Sequence, residues 1–515
     1  MSVVKGAVNS KIQLNQGDPS MTLMHRAGLA GLWMTLKQLE QQYPTSAERP
    51  GNFTWLLTPR SISLDWEGQD LEILDWLLKQ SFQISPEGLI SLTGLNPQSM
   101  DIGTQVTIHQ GITGTFLQHN KFFKSTGKVS KKLSIDGIEI VAEYKKAASY
   151  AHQDFAKHLC DEEGRLLPQT IGSAGWLYPG AVVRHYAFKE QTQFEETLEQ
   201  ALALLFAPVA CQYFVLPLHS HKKRAQYALV IPEVADLELY AERCWALRNF
   251  GYKNLQASSL GDAGLRFLTH EITLELARHN QVDQCQVITF GTVDWSPQQK
   301  TRTELVMVEA TQQVLFNYKL SCDYFSENQV VEHKNGNFIS PSHARGLIAD
   351  NLVRGLPWWF NFFTKINKPN LLKRVYYERE GLYNMIQNSQ WDEKAQKLFV
   401  QACHEALRKT FAKIYGRTKE DGYAQVQRKT ERMRAELGRC KNAASFRRFI
   451  TDFWARAGRI SILEDHWEEL LPLTTGMMDW KVARDLTLLA LASYKPSKKP
   501  QASSSEHKEP EEIAE

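Results

Sequence analysis

Residues 408–459 constrain the chain more than any other stretch, because they join helical apolar spacing to a concentrated positive charge. Leu407, Phe411, Ile414 and Tyr415 recur at helical intervals. Tyr423, Val426, Thr430, Met433 and Leu437 do so in a second run, and Phe446, Phe449, Ile450, Phe453 and Trp454 in a third. Each run marks a helix with one buried stripe. Gly416, Gly438 and Gly458 stand where such helices would end. Between these stripes lie 15 basic and 5 acidic residues, a net charge of +10 in a chain whose total is +3. The segment predicts a helical bundle with a basic exterior. An ordinary solvated face would intersperse acids, whereas a surface for nucleic-acid backbone would not. Arg408, Lys409, Lys413, Arg428, Arg432, Arg439, Lys441, Arg447, Arg448 and Arg456 are the candidate contacts. Two further helices are expected over Ile460–Leu471 and Met478–Tyr494.

The rest of the chain reads differently. At 515 residues it has room for roughly two to four domains. Met24–Gln42 predicts a helix in which Gly28 and Gly31 cost helix propensity, so a close backbone approach is expected there. Strands are expected over Phe53–Trp66 and a helix over Leu71–Phe82. From Thr104 to Tyr144 alternating residues broken by glycines predict β-structure, including Val106, Ile108 and Thr113–Leu117. Inside it, Asn120–Lys132 holds five lysines and no acid, and suggests a long basic hairpin or loop. Lys121, Lys124, Lys128, Lys131 and Lys132 would hold duplex phosphates, while Asn120, Ser125 or Thr126 would read base edges.

Residues 151–366 mix elements without a repeating βα unit. Strands are expected at Ala181–Phe188, Cys211–Leu218, Gln226–Pro232, Cys285–Thr292 and Thr303–Glu309. Helices are expected at Phe194–Phe206, Leu237–Phe250 and Ala263–Arg278, and Ser340-Pro341-Ser342 should open another. Lys222, Lys223 and Arg224 form a candidate basic hairpin tip. The fold class is therefore α+β: a mixed N-terminal α/β region followed by a C-terminal all-α helical bundle. The expected division is 1–150, 151–366, a bundle over 371–494 and a disordered tail over 495–515, rich in Pro, Ser, Lys and Glu.

Chemistry-bearing patterns point away from catalysis. Seven cysteines form no CxxC pair, which suits a reducing compartment rather than a zinc ribbon. The chain holds no GxxxxGK[ST], no GxGxxG after a strand, no HExxH and no GxSxG. Glu464-Asp465-His466 reads as a surface feature. The apolar stretch Ala201–Leu218 carries prolines and a glutamine, and reads as a helix running into a strand. The expectation is a cytoplasmic binding protein without a metal or cofactor.

Three groups of residues carry a resemblance. They are Met24-His25-Arg26-Ala27-Gly28-Leu29-Ala30-Gly31-Leu32, Ile348-Ala349-Asp350-Asn351-Leu352 with Pro357-Trp358-Trp359, and Trp480–Leu486 with Leu489–Tyr494. In their order and spacing the chain resembles the large subunit of type I CRISPR Cascade, of the type I-B or MYXAN kind. The resemblance implies a non-catalytic subunit of an RNA-guided DNA-binding complex. It implies that the N-terminal region lies near the guide RNA handle, reads the protospacer-adjacent motif and helps open the duplex. It also implies a C-terminal bundle that resembles the small subunit and holds R-loop strands. The implied partners are guide RNA, target DNA, and the backbone, handle-binding and small subunits of Cascade. Either a helicase-nuclease or a transposition adaptor would act downstream. Some such systems make the small subunit from an internal start, for which Met385 is suitably placed. From the residues alone, a stand-alone nucleic-acid enzyme with a helical clamp and a structural scaffold stay open as alternatives.

Overall fold

The computed structural model describes residues 9–495 apart from 174–175, 180–193, 218–225, 247–250, 271–283, 293–300, 310, 326–327, 333–335, 363–376, 418–421, 476 and 478. The chain forms two compact units, one reaching Trp358 and the other starting at Trp359. The boundary expected near Asn367–Asn370, the strand expected at Ala181–Phe188 and the tail from Pro496 lie outside the described residues. The fold is α+β, with strands confined to the first unit among the described residues.

The first unit opens with β1 (Asn9–Asn15), α1 (Leu23–Gln42), β2 (Thr54–Leu57) and β3 (Ser61–Glu67), the strands forming an antiparallel sheet in the order β1-β3-β2. Then come α2 (Asp70–Ser81), β4 (Phe82–Ile84), β5 (Ile90–Leu92) and α3 (Ile102–Gly114). A long ribbon follows, β6 (Phe123–Ile135) paired with β7 (Ile138–Tyr150). After it α4 (Leu198–Ala210) packs along α1. The two glycines of α1 make this approach possible. A Cβ at Gly28 would stand 2.0 Å from the Ala203 carbonyl oxygen, and one at Gly31 2.1 Å from that of Phe206. The helix propensity they cost is returned as backbone-to-backbone packing.

Next, β8 (Gln212–Leu216), β9 (Gln226–Pro232), β10 (Gln284–Thr292) and β11 (Thr301–Glu309) form an antiparallel sheet in that order, while α5 (Leu237–Ala246) and α6 (Leu260–Thr269) lie in the β9–β10 connection. Then α7 (Gln312–Tyr324) and α8 (His343–Leu352) complete the unit's main helices. One buried polar network ties α6, α7 and α8 together. Arg345 Nε lies 3.1 Å from Asp262 Oδ1, to which the Tyr318 hydroxyl also donates at 2.6 Å. The Ser258 N–H donates to Asp262 Oδ2 at 2.7 Å, and Arg345 also donates to Asn328 Oδ1 at 3.0 Å. Burial alone would push the Asp262 carboxyl up. The Arg345 and Arg266 guanidinium charges outweigh it and hold the group down at about 2. Such a pair is costly to break one-sidedly, because the survivor stays buried and charged.

Two expectations need correction here. Residues 104–114 are helical, not β. Asp101 caps α3 by accepting from the Thr104 N–H at 2.9 Å. Gly103 and Gly111, which look like strand breakers, lie against the rings of Tyr252 and Tyr213. Asp136 and Gly137 both adopt positive φ, 52° and 80°, and turn the chain between β6 and β7; an Asp-Gly pair suits a two-residue turn whose twist matches that of the strands. The helix expected from Phe194 begins only at Leu198, where Thr197 and Gln200 form a capping box and residues 194–196 are extended. No helix among the described residues is long and apolar enough to cross a membrane. The apolar stretch from Ala201 divides into the end of α4 and β8, as expected.

The second unit is helical: α9 (Arg379–Asn388), α10 (Lys394–Arg417), α11 (Gly422–Arg439), α12 (Ala443–Ala457), α13 (Ser461–Asp465), α14 (Trp467–Thr475) and α15 (Trp480–Ser493). The anticipated stripes supply its core, with Leu407, Phe411, Met433, Leu437, Phe446, Ile450, Phe453 and Trp454 all buried. Gly458, at φ 90°, ends α12. Met385 is fully buried within α9, so a product starting there would begin in mid-helix.

Candidate nucleic-acid interface

The ribbon has two faces of opposite character. Leu133, Ile140, Ala142 and Tyr144 turn inward, and Leu133, Ala142 and Tyr144 join a cluster with Leu89 and Val106. The helix α3 fastens the returning strand from beneath. His109 accepts the Ile90 N–H at Nδ1 (3.0 Å), and its Nε2 lies 2.9 Å from the Lys145 carbonyl oxygen. A backbone N–H can only donate and a carbonyl can only accept, so the ring is neutral with its proton on Nε2. Burial holds its pKa down at about 4, against a smaller opposing effect of the Lys145 carbonyl. The next residue, Gln110, donates to the Glu143 carbonyl and is itself held by the Tyr227 hydroxyl at 2.9 Å. At the far end Lys253 pairs with Asp136 at 2.7 Å, and Asn337 donates to the Glu139 carbonyl at 2.9 Å.

The outer face carries most of the predicted contacts. Asn120 and Lys121 precede β6 and are exposed. Lys124, Ser125, Thr126, Lys128 and Lys132 are exposed on β6, whereas Lys131 is half-buried among the inward positions. These residues lie on a strand, not in a loop. Ser125 is spent on the backbone: its hydroxyl accepts the Gly127 N–H at 3.2 Å and donates to the Gly127 carbonyl at 3.1 Å, where the register shifts. Lys132 is paired with Glu139 at 2.8 Å. Sequence reasoning missed Lys145 and Lys146, which the register sets opposite Lys128 and Gly127. The Asp-Gly pair would have revealed them. Lys222, Lys223 and Arg224 lie outside the described residues.

On the bundle the ten candidates divide into three groups. Arg432 and Arg456 pair one turn along their own helices with Glu436 (3.0 Å) and Asp452 (2.8 Å). Arg408 and Lys409 lie 4.0 and 2.9 Å from Glu405. Lys413 and Arg447 donate to backbone: Lys413 to the Arg456 and Ala457 carbonyls (2.8 and 3.1 Å) at the end of α12, and Arg447 to that of Thr475. Cations suit a helix C-terminus. Arg428, Arg439, Lys441 and Arg448 are exposed, with no carboxylate within 4.0 Å among the described residues. Beneath this surface Glu405 accepts from the Ser461 N–H (3.2 Å) and hydroxyl (2.9 Å), and from the Ile462 N–H (3.4 Å) at the start of α13. Burial would raise its pKa. Lys409 and these donors overcome that and hold it at about 2. Among the described residues no group of three or more His, Cys, Asp or Glu is arranged to hold a metal. Glu464 and His466 are engaged with Arg459 and Glu469 at the surface.

The scattered motifs are structural fastenings. His25 Nδ1 accepts the Thr22 N–H at 3.2 Å, and its Nε2 lies 3.2 Å from Glu196. Arg26 pairs with Glu233 at 3.6 Å. Asp350 accepts from the Gly261 N–H (3.3 Å), and Asn351 donates to the Trp358 carbonyl (2.9 Å). In α15 the Arg484 guanidinium sits 4.9 Å from the Trp480 ring.

A chain built in this way, an α+β unit with a lysine-faced ribbon and a basic helical unit, resembles a CRISPR-associated protein of the large-subunit class. It is similar to the CRISPR-associated protein Cas8a1/Csx13 of Myxococcus xanthus (strain DK1622), 27% identical over 524 residues that cover 95% of this chain and 90% of the relative. The DevT N-terminal domain matches residues 13–205 and the DevT C-terminal domain residues 387–515, together more than half of the chain. Both comparisons agree with the resemblance to CRISPR Cascade large subunits that its motifs carry.

Proposed function

We propose that the chain is a non-catalytic, cytoplasmic large subunit of an RNA-guided DNA-binding complex. It reads the protospacer-adjacent motif in duplex DNA, aids opening and holds R-loop strands on the C-terminal bundle. Guide pairing supplies discrimination over the long target, so the protein needs shape, charge and one short motif reader. The observation that carries the reading is the set of uncompensated cations on both units: Lys128 on the ribbon, and Arg428, Arg439, Lys441 and Arg448 on the helices. Charge left without a partner, on a fold that satisfies several of its other cations locally, calls for an anionic counterpart from outside. Asn120 and Thr126, exposed at the start of the ribbon, are the motif-reading residues in this proposal. Guide RNA, target DNA and the backbone, handle-binding and small subunits are the partners, with a helicase-nuclease or a transposition adaptor downstream.

The test is charge reversal in the reconstituted complex. Arg428→Glu, Arg439→Glu and Arg448→Glu together should leave thermal unfolding intact and abolish most R-loop formation on a matched target. Full R-loop yield from the triple variant would remove the bundle from the proposal. Asn120→Ala should relax motif preference while leaving affinity for unmatched duplex unchanged.

A further inference from the structure

The ribbon's register sets Lys128 of β6 directly opposite Lys145 of β7. Directly opposed residues project from the same face, with Cβ atoms roughly 5 Å apart. Both lysines are exposed, and neither ammonium has a carboxylate within 4.0 Å among the described residues. Two cations so placed repel each other. Elsewhere on the same outer face Lys132 reaches Glu139 on the diagonal and is neutralised, while Glu143, at the same diagonal offset from Lys128, makes no ion pair with it within 4.0 Å. The repulsive pair is also held in place. The Lys145 carbonyl is fixed by His109, and that of Glu143, two residues away on the same strand, by Gln110. The backbone under Lys145 therefore cannot slide to separate the charges without losing its hydrogen bond to His109.

The geometry points to Lys128 and Lys145 as a single phosphate site, one anionic group held between two cross-strand ammonium groups. Lys145 thus joins the interface as a contact residue, and the root half of the ribbon, rather than its tip, meets the DNA backbone. A bridging phosphate converts the repulsion into two attractions, and the side-chain entropy of one site is spent on two donors. Lys132, already neutralised, stays outside the site. This inference rests on the reading of the ribbon as a duplex-binding surface.

The experiment is a salt titration of binding to a fluorescein-labelled 25-base-pair DNA duplex, using the full chain and fluorescence anisotropy. Lys128→Ala, Lys145→Ala, the double variant, Lys132→Ala and the Arg428/Arg439/Arg448→Glu variant are compared, with circular dichroism melts as the check on folding. One shared phosphate lowers the slope of log affinity against log salt by about 0.9. Each single variant should keep most of the slope, because the remaining lysine still holds the shared phosphate, and the double should show this loss. Lys132→Ala should leave the slope where it was. Single variants that each lose about 0.9, with a double that loses twice as much, would show two separate phosphates and overturn the shared site. An unchanged slope in the double lysine variant, with weakened binding in the arginine variant, would overturn this inference and leave the broader reading standing. No binding by the unaltered chain would overturn both.

Discussion

The ribbon and the bundle both present cations, but they dispose of excess charge by different geometries. On a helix, a cation reaches carboxylates three or four residues away, so Arg432, Arg434 and Arg456 meet Glu436, Glu431 and Asp452 on their own helices. On the ribbon, pairing depends on a partner strand, and register decides which lysines find an acid. Lys132, opposite Val141, reaches Glu139 on the diagonal, whereas Lys128 stands opposite Lys145 and makes no ion pair within 4.0 Å with Glu143 at the same diagonal offset. Net charge therefore overstates the free charge of the bundle and misses the sharpest concentration on the ribbon. The foundations differ as well. His109, a neutral ring, supports the ribbon, and Glu405, an ionised carboxylate, supports the helix start under the bundle's cations.

The largest effect that would break this contrast comes from removing the ribbon's support. His109→Ala leaves the Ile90 N–H and the Lys145 carbonyl without their partner and opens a void. We expect a loss of about 3 kcal/mol, measured by urea unfolding, with hydrogen exchange rising first along β7. A loss below about 1 kcal/mol would mean that the apolar inner face alone positions the ribbon. Glu405→Gln comes next, at about 2 kcal/mol, since a neutral amide accepts weakly from the donors at the start of α13 and no longer pairs with Lys409.

Acid should separate the two supports. His109 has a folded pKa near 4, below the ordinary 6.5 of a histidine, so the unfolded chain binds more protons between those values. Its contribution is full above pH 6.5 and is lost as pH falls towards 4. Glu405 is lowered from 4.5 to about 2, so its contribution persists to pH 4.5 and is lost below it. His404, buried in the bundle and also held near 4, adds a loss in the upper window to the second unit. The discriminating measurement is therefore local. Hydrogen-exchange protection in β7, corrected for the intrinsic exchange rate at each pH, should fall between pH 6.5 and 4 in the unaltered chain and lose that dependence in His109→Ala, while α13 should hold until below 4.5.

Much of this was legible in the residues, and the failures are instructive. Helical stripes around Phe411, Leu437 and Ile450 gave the bundle because apolar periodicity is set by burial. Gly28 and Gly31 gave the close helix pair because only an absent Cβ admits a carbonyl at 2.0 Å. The helix at Ile102–Gly114 was hidden because its glycines answer to Tyr213 and Tyr252, ring neighbours about a hundred residues or more away in sequence. The candidate site was legible in composition but not in pairing. A basic count in 408–459 cannot tell Arg428 from Lys413, since the second is committed to the end of α12 through carbonyls that the fold alone brings near.

The smallest expected effects sharpen the comparison most, because they ask whether locally satisfied cations are idle. Lys132→Ala and Arg432→Ala each remove one exposed pair, and exposed pairs are worth about 0.5 kcal/mol or less. Stability should therefore barely move in either. Binding should respond equally little if the carboxylate keeps its cation. The two differ in what a phosphate would have to displace: Glu139 is held at its backbone by Asn337, on a fastened part of the ribbon, whereas Glu436 is a half-buried side chain one turn along a helix from Arg432. A phosphate strand lying on α11 competes directly with Glu436 for Arg432. Glu436→Gln should then strengthen binding to a single-stranded 25-mer, by up to about threefold, and Glu139→Gln should leave duplex binding unchanged. Equal gains from both would show that the ribbon's tip also meets nucleic acid, and that register does not confine contact to its root.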